Sequence, residues 1–251
     1  MDDVVLLEEG RIELLGLIRG SSNSALLVEV ACEDRSAWAV YKPQEGERPL
    51  IDFDPGLHRR ERAAYLLSEF LGWGLVPATV VRRGGPFGTG SLQLFVEHDP
   101  HEHYFTLHDG VPATHDQLRR IALFDCVANN ADRKGGHVLR GTDGRVWGID
   151  HGLCFAARPK LRTVVWDFAG EAVPEHLLRD IAPLADAVPA ELAELLAPGE
   201  VVALRQRVRR LLAELLDARE VAALQERVRR LLDEPVLPVD DTGCRTPWPL
   251  L

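Results

Sequence analysis

Asn129-Asn130-Ala131-Asp132-Arg133-Lys134-Gly135-Gly136-His137, followed shortly by Gly148-Ile149-Asp150-His151-Gly152, is the stretch that decides the reading of this chain. It carries two acids eighteen residues apart, with a glycine-rich turn just behind the first. Between them Val138-Leu139-Arg140 and Val146-Trp147-Gly148-Ile149 read as a strand pair, joined by Gly141-Thr142-Asp143-Gly144 with Asp-Gly at its tip. So short a hairpin returns the chain on itself, so Asp132 and Asp150 are expected to face one cleft. Two carboxylates placed this way suit phosphoryl transfer. One orients or deprotonates an acceptor hydroxyl, and the other holds a metal ion that neutralises phosphate charge.

Working outward towards the N-terminus, residues 12–18 and 25–30 read as two strands around the polar turn Arg19-Gly20-Ser21-Ser22-Asn23-Ser24. A hairpin tip of Gly, Ser and Asn presents backbone N–H groups and hydroxyls without bulk, so it can lie over phosphates. Trp38-Ala39-Val40-Tyr41-Lys42 is a third strand, stopped by Pro43. A lysine on the third strand behind such a hairpin is placed to meet nucleotide phosphates. After a Pro-, Gly- and Asp-rich loop, Leu57 to Leu71 has helical spacing, with Glu61 in its first turns. From there Glu61 can reach back to Lys42; a surface pair with Arg60 is the plainer alternative. Residues 76–81 and 91–96 complete an antiparallel sheet of five strands with one helix.

Towards the C-terminus, Glu97-His98-Asp99-Pro100-His101-Glu102-His103 reads as a polar linker, since its histidines lack the spacing of a structural zinc site. Thr114 is placed to cap a helix that leads into the Asn129 stretch. Beyond Pro174 the chain reads as helical. Val201 to Leu212 nearly repeats as Val221 to Leu232, which reads as an antiparallel helix pair packed on the second lobe, with a face for a protein partner as the alternative, and the tail from Pro235 carries four prolines.

Bulk properties set limits. The 251 residues are 46% hydrophobic, enough for a core in one large domain or two lobes. A net charge of -10 and a pI near 5.4 weigh against nucleic acid or an anionic membrane as the main partner. No apolar run reaches the roughly 20 residues of a membrane helix. The acidic start and the scattered cysteines Cys32, Cys126, Cys154 and Cys244 lead to the expectation of a cytoplasmic protein with free thiols. Of 29 basic residues only Lys42, Lys134 and Lys160 are lysine, and the only asparagines are Asn23, Asn129 and Asn130. Where arginine is the rule, a retained lysine points to a site that needs a compact charge.

The order Lys42, Glu61, Asn130-x-Asp132-Arg133, Ile149-Asp150-His151-Gly152 resembles the phosphoinositide 3-/4-kinase-like branch of the protein-kinase fold. HipA-type toxin kinases are similar, and the nearest likeness is to an actinobacterial PI3/4-kinase-like group. The resemblance implies an α+β bilobal fold with an antiparallel N-lobe sheet and one helix, a mainly helical C-lobe, and ATP in the cleft between them. On that basis residues 1–97 form the N-lobe, 98–104 the hinge, 105–234 the C-lobe with the helix pair, and 235–251 a proline-rich tail.

Carried over residue by residue, Lys42 would bind the α and β phosphates, oriented by Glu61. Ser21, Ser22 and Asn23 would cover the phosphates, and Phe95 and Val96 would offer hinge backbone to adenine. Asp132 would be the catalytic acid/base and Asp150 would hold Mg²⁺. The family's second metal ligand is an asparagine five residues after the catalytic aspartate; here that position is His137. Imidazole suits softer metals than Mg²⁺, so Mn²⁺ is an equal candidate, and Asn130 is a further oxygen donor.

The expected activity is an ATP-dependent kinase acting on a hydroxyl of a protein or small molecule. A pseudokinase that binds nucleotide without transfer and a nucleotidyl transferase remain the alternatives.

Overall fold

The structure is a computed structural model that describes residues 2–18 and 25–214. Ser21, Ser22 and Asn23, the second helical repeat and the proline-rich tail lie outside the described residues.

A short helix α1 (Asp3–Glu9) precedes five strands: β1 (Arg11–Leu17), β2 (Leu26–Cys32), β3 (Arg35–Pro43), β4 (Thr79–Gly85) and β5 (Gly88–Leu94). They form one antiparallel sheet in the order β1-β2-β3-β5-β4. Because side chains alternate along a strand, Val28, Val30, Ala39, Tyr41, Val80 and Leu92 gather on one face. There they pack with Leu6 and Leu7 of α1 into a closed cluster. Helix α1 was not legible in its few residues. It is held by tertiary contacts, with Arg82 of β4 donating to Leu7 O at 2.6 Å and Gly10 O at 2.7 Å, where a helix end leaves carbonyls unpaired.

The opposite face of the sheet carries Lys42 and Val40, and α2 (Leu57–Phe70) packs against β4 and β5. The start of α2 is fixed from a distance: the Glu47 carboxylate accepts the Gly56 and His58 N–H groups at 2.8 and 3.0 Å. The apolar side of α2 (Ala63, Ala64, Leu67) belongs to the large core of the helical lobe rather than to the cluster within the sheet. The helix therefore ties the two parts together.

That lobe contains α3 (Tyr104–Gly110), α4 (His115–Ala128), the hairpin β6 (Val138–Arg140) and β7 (Val146–Gly148), then α5 (Glu175–Ile181), α6 (Ala190–Glu194) and α7 (Pro198–Glu214). Leu118, Ile121, Phe124 and Val127 of α4 lie at its centre, packed with Leu204 and Val208 of α7. Thr114 does not cap α4 through its side chain; its hydroxyl donates back to Val111 O at 2.7 Å. The segment between β5 and α3 is tied to the β6–β7 turn through a bridge between His98 and Gly141 and a bond from Thr142 N–H to Glu97 O. Among the described residues no group of three or more His, Cys, Asp or Glu side chains is arranged to hold a metal ion. No helix among them is long and apolar enough to cross a membrane.

Candidate active site

The central strand β3 carries Lys42 near its C-terminal end, and α2 brings Glu61 beside it. Lys42 Nζ donates to Glu61 Oε1 at 2.6 Å and to Asp150 Oδ1 at 2.8 Å. Glu61 accepts the His151 backbone N–H with its other oxygen, Oε2, at 2.9 Å. One carboxylate thus fixes both the lysine and the backbone that follows Asp150.

Asp150 has a positive φ of 59°, a left-handed conformation uncommon outside glycine that aspartate and asparagine adopt more readily than most residues. Its carboxylate meets Lys42, and the backbone N–H that follows it is held by Glu61. Burial would depress the Lys42 pKa, but Asp150 and then Glu61 outweigh it and raise the amine above its usual range. Burial would likewise raise the Asp150 pKa. Lys42, followed by His137, holds its carboxyl well below the normal value.

Asp132 is on the loop after α4, and its charge and that of Asp150 both act on His137. Asp132 Oδ2 accepts from Lys134 Nζ at 2.8 Å, and its backbone N–H donates to Asn130 Oδ1 at 3.0 Å. Asn130 is fully buried, and its Nδ2 donates to Asp125 Oδ1 at 3.0 Å. Its amide is engaged at both ends in holding the loop.

His137 does reach Asp150: its Nε2 lies 3.3 Å from Oδ2, and its Nδ1 faces the Lys134 N–H at 3.4 Å. Burial lowers its pKa against the pull of Asp150, which favours the neutral ring. The hinge expectation changes in part. Phe95 N–H is already bonded to Trp38 O at 2.9 Å, and Val96 O is 2.7 Å from His98 Nδ1. Phe95 N–H is thus taken up by strand pairing, whereas Val96 C=O keeps a second lone pair beside its contact with His98.

No family model matches this sequence. Protein Rv2133c of Mycobacterium tuberculosis (strain ATCC 25618 / H37Rv) is 41% identical over an alignment of 287 positions that covers 100% of this chain and 96% of that protein. The chain belongs to the Rv2133c family. Among solved structures, the crystal structure of the Golgi casein kinase with Mn/ADP bound superimposes with a TM-score of 0.56 at 15% identity, covering 88% of this chain and 77% of that one. The structure of hydra Fam20 with sugar gives 0.54 at 13% identity, over 95% and 91% of the respective chains. These likenesses establish the protein-kinase-like fold: α+β and bilobal, with an antiparallel five-stranded sheet and a mainly helical second lobe.

The sequence reading missed the support beneath this site of the Rv2133c-family protein. Arg133 is fully buried and grips Asp125 of α4 through Nε and Nη2, the latter 2.9 Å from Oδ1. Its Nη1 donates to His137 O and Ile149 O at 3.2 and 2.9 Å. Its Nη2 also donates to His151 Nε2 at 2.8 Å. Burial, then the adjacent Arg133, push the His151 pKa well down, so the ring is neutral and accepts this bond. One guanidinium thereby joins both ends of the hairpin between Asp132 and Asp150. The available signal was Asp125, a lone acid in the apolar stripe of α4, because a buried acid needs a partner.

Proposed function

We propose that this Rv2133c-family protein is an ATP-dependent phosphotransferase that moves the γ-phosphoryl group to a hydroxyl of a protein or small molecule. The observation that carries this reading is Lys42 Nζ placed at once on Glu61 and Asp150, at 2.6 and 2.8 Å. An ammonium held between an orienting carboxylate and a second, partly exposed carboxylate is suited to the phosphates of a nucleotide. The Mn/ADP found with the Golgi casein kinase supports the same choice of ligand. The order of motifs, rather than the fold, supports a place near the phosphoinositide 3-/4-kinase-like and HipA-type branches.

In this reading Lys42 binds the α and β phosphates and Glu61 keeps its amine in register. Asp132 accepts the proton of the acceptor hydroxyl and aligns its oxygen for in-line attack; Lys134 beside it offsets charge on the transferred group. Asp150, ionised and 41% exposed in its side chain, is the carboxylate that would hold a divalent ion. Phosphate oxygens complete such a site with few protein ligands. Mg²⁺ fits Asp150 alone, whereas Mn²⁺ also accepts the imidazole of His137 as a neighbour. The ion would supply neutralisation of charge on the phosphates.

His137, standing where an oxygen ligand is expected, favours one second reading: a nucleotide-binding module with little or no transfer. Label transfer from γ-labelled ATP in a cell lysate supplemented with the pure protein separates the two. Transfer that disappears in Asp132→Asn supports the phosphotransferase. Nucleotide binding without transfer supports the second reading. Transfer of the α-label would instead identify a nucleotidyl transferase.

A further inference from the structure

We propose that Gln93 selects an adenine base over a guanine base, and that Thr79 sets the direction of its amide. The inference rests on the nucleotide reading of the cleft.

Gln93 and Val40 are direct partners across β3 and β5, and Lys42 stands opposite Ser91 one pair further along that face. Side chains two apart on a strand share a face. Gln93 therefore belongs to the wall that carries Lys42, one step from the amine towards the connection through Phe95 and Val96. It is 6% exposed, on a sheet face against which α2 packs.

Its orientation is determined by a chain of donors. Thr79 Oγ1 donates to Pro77 O at 2.7 Å, and Gln93 Nε2 donates to the same Oγ1 at 2.8 Å. A hydroxyl has one hydrogen, and this one is committed to a carbonyl, so the atom facing it must be a donor. The –NH₂ group is therefore the end held by Thr79. The carbonyl oxygen Oε1 is therefore turned away from Thr79.

A wall with a fixed acceptor discriminates between purines. Adenine carries an exocyclic N6–H₂ donor where guanine carries the acceptor O6. The first can satisfy Oε1; the second would meet it lone pair to lone pair and leave that acceptor unpaired beneath the base. Thr79 acts at one remove: without its hydroxyl the amide can turn over and offer –NH₂ to O6.

The test is calorimetric titration of the whole protein with Mn²⁺·ATP and with Mn²⁺·GTP, for the wild type and for Gln93→Leu, Thr79→Val and Thr79→Ser. The wild type should bind ATP tighter by about tenfold or more, as expected when a site hydrogen-bonds one substrate and leaves a group unpaired with its rival. Gln93→Leu and Thr79→Val should each bring the two affinities close together, whereas Thr79→Ser, which keeps the hydroxyl, should retain the preference. Equal affinities in the wild type, or a preference that survives both Gln93→Leu and Thr79→Val, overturns the assignment. If neither nucleotide binds, the nucleotide reading of the cleft has failed and the base assignment falls with it.

Discussion

Lys42 and Asp150 are 108 residues apart in sequence, yet the ammonium of one lies 2.8 Å from the carboxylate of the other. The amine comes from the sheet and the acid from the end of a hairpin in the helical lobe, with Glu61 fixing both. Each of the two residues stabilises the charge of the other against the cost of burial.

Lys42→Arg keeps the positive charge and replaces a compact ammonium with a planar fork. The fork cannot occupy a space bounded by two carboxylates at 2.6 and 2.8 Å without displacing one of them. ATP affinity measured by calorimetry should fall by about tenfold or more, in line with the loss of one charge-assisted contact. Unchanged affinity would refute the argument from scarce lysines.

Asp125→Asn removes the partner of a fully buried guanidinium. Breaking a buried ion pair from one side costs about 3–5 kcal/mol. Chemical denaturation should show a loss of that order for Asp125→Asn and at least as much for Arg133→Met, which strands the buried Asp125 carboxylate and also removes the donors to His137 O and Ile149 O. A loss below about 1 kcal/mol, the scale of a surface ion pair, would show that the network is not a structural keystone.

Much of this architecture was legible beforehand, and what was not has a physical reason. The five strands were readable because alternating apolar residues such as Val28, Val30, Ala39 and Tyr41 face one closed cluster. The hairpin between the two acids announced itself through Asp143-Gly144. Helix α1 was missed because seven residues carry too little periodicity, and packing of Leu6 and Leu7 decides its state. Motif spacing singles out Asn130 as a further oxygen donor, but spacing does not reveal that its amide joins Asp125 to the Asp132 N–H. Arg133 lies within the stretch that decides the reading, yet its burial depends on Asp125, eight residues earlier in the last turns of α4.

Glu47 supplies a pH signature. Burial would raise its pKa, but His58 and the N–H groups of Gly56, His58 and Leu57 outweigh it and bring the carboxyl down to about 2. A carboxylate with a depressed folded pKa adds stability that is fully present above the unfolded value near 4.5 and is lost as pH falls towards 2. Urea midpoints measured across that window should fall more steeply for the wild type than for Glu47→Gln. Parallel curves would mean that Glu47 does not anchor the start of α2.

His137→Asn places an amide oxygen beside Asp150. In calorimetric titrations with ADP present, Mg²⁺ should bind more tightly to this variant than to the wild type, and the preference for Mn²⁺ should narrow, because Mg²⁺ favours oxygen donors. An unaltered ratio of the two metals would remove His137 from the metal's surroundings.

The central claim is that a nucleotide triphosphate and a divalent ion are held between Asp132 and Asp150 by way of Lys42. Calorimetric titration of the protein with Mn²⁺·ATP, beside the Asp150→Asn variant, tests it most directly. The account predicts saturable one-to-one binding that weakens by about tenfold or more in the variant, the scale of a lost charged ligand. Absence of binding with both Mn²⁺ and Mg²⁺, or equal affinity in Asp150→Asn, would contradict it.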